Sequence, residues 1–286
     1  MHKLMAETMP NETRSVDVAV DIEAPADVVW RALTDPTELV RWFPFQAAVT
    51  PGPGGTVTWS WDEKWTWESQ IDLWEPGRRL RLVQDEQRPF DVEGGLLGPG
   101  EVAAAHMVMD FTLETVAGHT RLRLVHSGFG RGAAWDDEID GVSVGWSNEL
   151  RSLALYLERH YGKTRHISTA YLTLGAAQED VWRRLLSDAA FKLSPTLPAA
   201  GQPYRAEVST GDRFEGIVRH HIPNRDFTGT VRALDDGILR IGTHRAAGKT
   251  GVQIFLSTYD ARHAPEVAAF GTRTQTLLDR LFDAPQ

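Results

Sequence analysis

The sequence predicts an α+β fold that is built twice in tandem, each time as a bent antiparallel sheet wrapped around a long C-terminal helix. Three observations predict it. Apolar residues alternate with polar ones along several segments of each half, as in half-buried strands. Each half ends in a segment whose apolar residues recur every three or four positions, as in an amphipathic helix. A Val-Trp-Arg triplet starts at Val29 and again at Val181, at a similar distance into each half.

The chain of 286 residues is long enough for two domains. We expect a disordered N-terminus over residues 1–14, a first domain over residues 15–162 and a shorter second domain over residues 166–286. Gly162 is a natural end for the first long helix, so we place the linker next to it.

The first half begins with a strand that ends at Ile22, followed by a helix that Pro25 opens and a short helix that carries Trp42. A hairpin follows, with a glycine-rich loop (residues 94–100) further along the chain. The predicted elements after the hairpin are a strand with Leu80 and Leu82, one with Met107 to Leu113, one with Leu122 to His126, and a helix over residues 138–160. Its apolar stripe is Ile139, Val142, Trp146, Leu150, Leu153 and Leu157.

The hairpin contains four of the ten tryptophans of the chain, in the stretch GTVTWSWDEKWTWE. Trp59 and Trp61 share one face of the first strand, and Trp65 and Trp67 share one face of the second, because alternate strand residues point the same way. We assign Val57, Ile71 and Leu73 to that face. The turn falls on residues 62–64. A closed core rarely needs four adjacent indoles, so this face predicts the wall of a ligand cavity, with a plain apolar core as the alternative.

The second half repeats the plan in shortened form. We predict a strand over residues 167–174, a helix that contains Val181, strands near 213–221, 227–234, 238–245 and 251–258, and a last helix that starts at Pro265. Each half is therefore expected to adopt a helix-grip architecture, in which a space can remain between sheet and helix.

Charge is divided unevenly between the halves. Residues 1–162 contain 14 Lys and Arg against 26 Asp and Glu, whereas residues 163–286 contain 16 against 13. An acidic first half argues against nucleic acid or an anionic membrane as partner. A solvated acidic surface is the simplest interpretation, and docking of the two halves through opposite charges is the alternative.

Several classes of chemistry are excluded or disfavoured. The chain has no cysteine, so it has no disulfide and no thiol nucleophile. His220 and His221 are neighbours on a strand and face opposite ways, so we expect no metal and no cofactor. We find no signal sequence and no apolar run of membrane-spanning length, and expect a cytoplasmic protein without membrane insertion.

Five segments of the first half, in order, resemble a known family. They are IEAPADVVWRALTDPTELVRWF, PGPGGTVTWSW, the turn from Pro76 to Leu80, RLRLVHSGF and GWSNELRSLALYLE. Together they resemble the domain of homologues of the activator of the heat-shock protein 90 ATPase, within the START or SRPBCC superfamily that includes the birch-pollen allergen. The resemblance implies a helix-grip fold with an apolar cavity, and a second, degenerate copy after residue 166. Members of the superfamily bind lipids, sterols or polyketides, and some cyclise or dehydrate polyketides.

The candidate ligand-binding residues lie on the faces assigned to this cavity: Trp42, Phe45, Trp59, Trp61, Trp65, Trp67, Met107, Met109, Phe111, His126 and Trp146. His126 is the best catalytic candidate, because it shares a strand face with Leu122 and Leu124 and can act as a general base. A histidine bonded to the backbone is the alternative. Glu149 lies one residue off the helical stripe and is expected to be solvated.

Three functions remain open from the sequence. The first is binding of a hydrophobic or aromatic small molecule, lipid-like or polyketide-like, in the first domain. The second is a metal-free cyclase, dehydratase or hydrolase that uses His126. The third is a chaperone ATPase activator, which only the family resemblance favours, so a chaperone partner is not expected. A homodimer is compatible with the sequence.

Overall fold

The computed structural model describes residues 14–61, 65–89, 97–98, 104–196 and 199–283. It contains two seven-stranded antiparallel sheets, one from each half of the chain. The strands of the first sheet are β1 (Arg14–Ile22), β2 (Gln46–Val49), β3 (Thr56–Ser60), β4 (Thr66–Glu75), β5 (Arg79–Gln87), β6 (Ala105–Val116) and β7 (His119–Phe129). Its helices are α1 (Ala26–Thr34), α2 (Pro36–Leu39) and α3 (Ala133–Leu155), and one π-helical turn (Tyr156–His160) continues α3.

The second sheet consists of β8 (His166–Leu174), β9 (Phe191–Ser194), β10 (Pro203–Val208), β11 (Arg213–Ile222), β12 (Asp226–Val231), β13 (Gly237–Ala246) and β14 (Lys249–Thr258). Its helices are α4 (Gln178–Leu185) and α5 (Ala264–Asp283). The strand order is β1-β7-β6-β5-β4-β3-β2 in the first sheet and β8-β14-β13-β12-β11-β10-β9 in the second. Equivalent strands occupy equivalent positions, which confirms the predicted pair of tandem helix-grip domains.

Parts of the prediction fall outside the described residues. These are residues 1–13, the hairpin turn at residues 62–64 and most of the loop at 94–100. Arg14 is the first residue of β1, so the predicted N-terminal tail is one residue too long. The exact domain boundaries at 15–162 and 166–286 stay a prediction.

The core of the first domain forms between its sheet and α3. The buried residues of α3 include Trp146, Leu150 and Leu153, which pack with Trp59 and Phe111 of the sheet. The predicted apolar stripe of this helix is therefore confirmed, although the helix begins at Ala133, before the predicted start. Ile139 and Val142 at its N-terminal end pack on a smaller cluster with Val16, Met107, Phe129 and Trp135.

A bulge in β4 corrects one predicted side-chain direction. The pairing of β4 with β5 shifts register between Ile71 and Leu73. One extra residue reverses the alternation beyond it, so Trp74 and not Leu73 packs on the core. Trp74 lies edge-on to Trp30 of α1, with ring centroids 5.0 Å apart.

The second domain has a separate core under α5, with Phe227, Ile241, Leu256 and Phe270 among its buried residues. The sequence did not predict three short strands, which are β2, β9 and β10. Two of them have only four residues, too few to show a period.

Arg165, in the linker, ties the start of the second domain to the first. Its guanidinium donates hydrogen bonds to the carbonyl oxygens of Trp42 (2.7 Å), Phe43 (3.0 Å) and Pro44 (2.9 Å). Tyr259 makes a parallel link, because its hydroxyl donates to the carbonyl oxygen of Arg41 at 2.8 Å. These bonds hold the segment after α2, which belongs to the first domain, against Arg165 and Tyr259 of the following part of the chain.

Within the described residues, none of the helices is long and apolar enough to cross a membrane.

Replacing Arg165 tests the link between the domains. Arg165→Met removes three hydrogen bonds from a charged donor, and we expect the free energy of unfolding to fall by about 2 kcal/mol. Lys163→Met is the control, because Lys163 makes an exposed ion pair with Asp235 and its loss changes stability by less than about 1 kcal/mol. Urea unfolding of both variants measures the difference. Equal effects would contradict the assigned role of Arg165.

Candidate functional site

A cleft with a volume of about 590 Å³ lies between the two domains. The tryptophans of the β3–β4 hairpin and the part of α3 from Asp137 to Glu149 form the wall from the first domain. The wall from the second domain is the outer face of β8, β13 and β14, the face opposite its own core. The predicted cavity was placed within the first domain. The structure corrects this, since half of the wall belongs to the second domain.

Three half-buried indoles form the aromatic part of the cleft: Trp61, Trp65 and Trp67. The backbone N–H of Trp61 donates to the carbonyl oxygen of Trp65 at 3.0 Å, which holds the two tryptophans at the hairpin tip. The ring centroid of Trp61 is 5.1 Å from that of Trp67 and 5.0 Å from that of Phe43, both edge-on. The rings therefore support one another and leave part of their surface to the cleft.

Helix α3 passes the cleft with two glycines one turn apart. Gly141 and Gly145 both line the cleft, and a Cβ added to either would meet no atom within 4 Å. Val142 and Trp146 line the cleft beside them. A helical glycine costs about 1 kcal/mol relative to alanine, so these two positions leave space at the expense of helix stability.

The wall from the second domain is more polar. Cross-strand neighbours on its outer face are Arg240 with Phe255 and Gly242 with Gln253. The amide of Gln253 donates to the hydroxyl of Tyr171 at 2.9 Å. His244 lines the same wall, and burial lowers the pKa of its imidazole to about 4, with Arg240 and Arg225 acting in the same direction.

A buried ionic network lies at the inner end of the cleft. The guanidinium of Arg240 donates to the carboxylate of Asp226 at 3.0 Å, and Asn148 of α3 donates to the same carboxylate at 3.1 Å. Thr228 donates to the amide oxygen of Asn148 at 2.9 Å. Burial alone would raise the pKa of Asp226, but the charge of Arg240 and hydrogen bonds from His220 and Asn148 lower it.

Glu149 joins this network and corrects the prediction that it is solvated. Only 20% of its side chain is exposed, and its carboxylate lies 3.4 Å from Nη1 of Arg240. Further ion pairs between α3 and the second domain join Asp140 to Arg225 and Asp137 to Arg245. Opposite charges therefore do meet between the halves, as the alternative interpretation of the charge division suggested.

A second cavity of about 40 Å³, large enough for about one water molecule, adjoins the cleft. Trp42, Phe45 and Arg165 line it together with Trp61, Glu149 and Arg240, and the last three also line the cleft. The two cavities thus meet at Glu149 and Arg240.

His126 lies outside both cavities, which corrects its predicted place at the ligand. Its ring is 5% exposed, and its Nδ1 accepts a hydrogen bond from the indole N–H of Trp146 at 3.2 Å. Nε2 then carries the proton, and makes no hydrogen bond with any residue in the described part of the chain. Burial lowers the pKa of His126 to about 3, so the ring is a neutral structural acceptor rather than a general base.

Four other predicted ligand contacts are core residues and do not line either cavity. Trp59 is 2% exposed and packs edge-on against Phe43 and Trp146. Met109 and Phe111 belong to the same core, and Met107 belongs to the smaller cluster beside it. The structure thus brings six predicted residues to the cleft or the small cavity: Trp42, Phe45, Trp61, Trp65, Trp67 and Trp146.

The sequence analysis missed every cleft residue of the second domain, among them Tyr171, Asp226, Arg240 and Phe255. Their strands alternate as if their polar face met solvent. The one signal that pointed to this contact is the division of charge between the halves. Among the described residues, no group of three or more His, Asp or Glu side chains is arranged to hold a metal ion.

Residues 23–158 match the family described as "Activator of Hsp90 ATPase homolog 1-like protein". This range lies within the first domain, for which the sequence resemblance predicted the same family, and the second domain repeats the strand order of the first. No curated protein matches the sequence.

Several solved structures are similar to this chain. Protein MLL2253 from Mesorhizobium loti is 24% identical, with 52% of this chain and 99% of that chain covered and a TM-score of 0.44. DynU16, from the dynemicin biosynthetic locus, is 17% identical over 93% of this chain and 98% of that chain, with a TM-score of 0.41. The di-domain ARO/CYC BexL from the BE-7585A biosynthetic pathway is 16% identical over 93% and 92%, with a TM-score of 0.42. At these values the similarity does not indicate what this chain binds.

The structural role of His126 predicts a pH dependence of stability. Its pKa is lowered from 6.5 to about 3, so the unfolded chain binds a proton that the folded protein does not. Stability is therefore fully present above pH 6.5 and is lost as the pH falls towards 3, by at most about 1.4 kcal/mol per pH unit. In His126→Asn the amide oxygen can still accept a hydrogen bond from Trp146, and we expect the free energy of unfolding to fall less steeply as the pH decreases. Urea unfolding between pH 7 and pH 4 checks this, and parallel curves for the two proteins would refute it.

Proposed function

We propose that the protein binds a small, largely aromatic molecule in the cleft between its two domains. The observation that carries this proposal is the row of half-buried indoles at Trp61, Trp65 and Trp67, which faces a polar wall across open space. Aromatic walls with a few polar groups are typical of sites for small apolar ligands, and the volume lies within the roughly 300 to 1,000 Å³ of such pockets.

The glycines of α3 support the same function. Gly141 and Gly145 leave the middle of the cleft free of side chains, although alanine would favour the helix at both positions. The polar residues of the opposite wall are already paired in ion pairs and hydrogen bonds, so they can face an apolar ligand without leaving a charge unpaired.

The enzyme hypothesis based on His126 gains no support from this geometry, because its ring is sealed in the core against Phe129 and Trp146. No contact of the described residues favours a chaperone partner. Ligand binding therefore remains the function to test first.

Filling the cleft from α3 tests the proposal. Gly145→Leu places a side chain in open space, so we expect the protein to fold normally and to lose quenching of tryptophan fluorescence by polycyclic aromatic probes. Gly145→Ala should weaken binding less and should raise the free energy of unfolding by about 0.5–1 kcal/mol. Thermal unfolding and fluorescence titration measure both effects.

The control is Trp74→Phe, which removes an indole that packs on Trp30 away from the cleft. We expect this variant to bind the probes as the natural protein does. Unchanged binding by Gly145→Leu would exclude the cleft as the site.

A further inference from the structure

We propose that Glu149 is the polar anchor of the cleft, and that it accepts a hydrogen bond from an uncharged hydroxyl group on an aromatic ligand. This inference rests on the proposed function and specifies its ligand class. Among the residues that the structure describes, Glu149 is the one carboxylate that lines both the cleft and the small cavity beside it.

The position of Glu149 suits a ligand contact. It lies on α3 one turn beyond Gly145, so the space left by that glycine leads to its carboxylate. Trp61 lines the same two cavities from the hairpin. An aromatic ligand that lies along the indoles therefore has its inner end close to Glu149.

The carboxylate of Glu149 retains capacity to accept hydrogen bonds. In the described part of the chain its one hydrogen bond comes from Arg240, at the long distance of 3.4 Å. Arg240 donates at 3.0 Å to Asp226, which also accepts from Asn148. Asp226 thus takes the stronger bond of Arg240, and the four acceptor sites of an ionised carboxylate leave Glu149 free to bind a donor.

The charges around Glu149 favour a neutral donor. Arg240 and Arg165 lie beside Glu149 and Asp226, so two positive and two negative charges surround this point. A charged ligand group of either sign would therefore be repelled by two of these groups and would also lose its hydration. A hydroxyl group on an aromatic ring supplies a hydrogen-bond donor without either penalty.

The carboxyl of Glu149 is largely removed from water. Burial raises the pKa of its carboxyl and Asp226 adds to the rise, while Arg240 and Arg165 act in the opposite direction. A raised pKa means that the folded state binds a proton more tightly than the unfolded chain, so ionised Glu149 lowers stability as the pH rises past 4.5. Burial of this carboxylate therefore costs stability, and a hydrogen-bond donor on a ligand would offset part of that cost.

A matched pair of fluorescent probes tests the inference: 1-hydroxypyrene, which has the hydroxyl donor, and 1-methoxypyrene, which lacks it. Fluorescence anisotropy gives both dissociation constants at pH 7. We expect 1-hydroxypyrene to bind about tenfold more tightly, since a hydrogen bond to a charged acceptor is worth about that factor or more.

Two variants then assign the preference to Glu149. In Glu149→Leu the ratio of the two dissociation constants should fall to about one, with 1-methoxypyrene bound as before, and Glu149→Gln should give an intermediate ratio. The free energy of unfolding of Glu149→Gln at pH 7 should equal or exceed that of the natural protein, a result that a purely structural ion pair would not give. Glu158→Gln, which changes an exposed carboxylate further along the same helical segment, should keep the full ratio.

The outcomes separate this inference from the proposed function. Equal binding of the two probes by the natural protein, or an unchanged ratio in Glu149→Leu, would overturn the role of Glu149 while the cleft remains a binding site. Failure of both probes to bind would overturn the proposed function and this inference together.

Discussion

The packing of α3 between two sheets is the constraint on which the rest of the structure depends. Its apolar stripe closes the core of the first domain, and its polar side meets the outer face of the second sheet. Asn148 makes the central contact, because its amide bonds both Asp226 and Thr228. A buried carboxylate that lost its partners would cost several kcal/mol, so this contact tolerates no change of register. The cleft exists because the domains are held in that one arrangement.

The cleft is the part of this interface that the side chains leave unfilled. Helix α3 contacts the second domain through Asn148 and Glu149 and through the ion pairs of Asp137 and Asp140, while Gly141 and Gly145 place no side chain in the space between these contacts. Two glycines in a helix and a buried ionic network both reduce stability relative to alanine and apolar residues. Features that lower stability around open space support the proposed binding site, because function commonly costs stability where it is located.

The sequence was sufficient to predict the architecture of each domain, but it was not sufficient to predict the residues that line the cleft. Alternation of apolar and polar residues predicted the long strands, and helical spacing of apolar residues predicted α3. Both predictions succeeded because the apolar residues of each element are buried within a single domain. Leu73 was assigned to the wrong face because a bulge cannot be recognised from the alternation of apolar and polar residues in the sequence. Glu149 was expected to be solvated, since a helical wheel shows only distance from the stripe and not what packs on the other side. Of the cleft, the sequence predicted the tryptophan hairpin and Trp146, and none of the second wall.

A comparison of equivalent strands shows why the second wall could not be predicted. Strand β6 of the first sheet occupies the position of β13 in the second, and both carry charged residues on the outer face. On β6 that residue is Asp110, which is 16% exposed and pairs with Arg79 of the neighbouring strand, 39% exposed. On β13 it is Arg240, which is 12% exposed and pairs with the buried Asp226 and with Glu149 of α3, 20% exposed. The same polar alternation thus serves a solvated face in one copy and an interface in the other, and the difference lies in which helix reaches the sheet. The aromatic hairpin belongs to the first domain and the covered polar face to the second, so the proposed ligand site requires both copies in one chain.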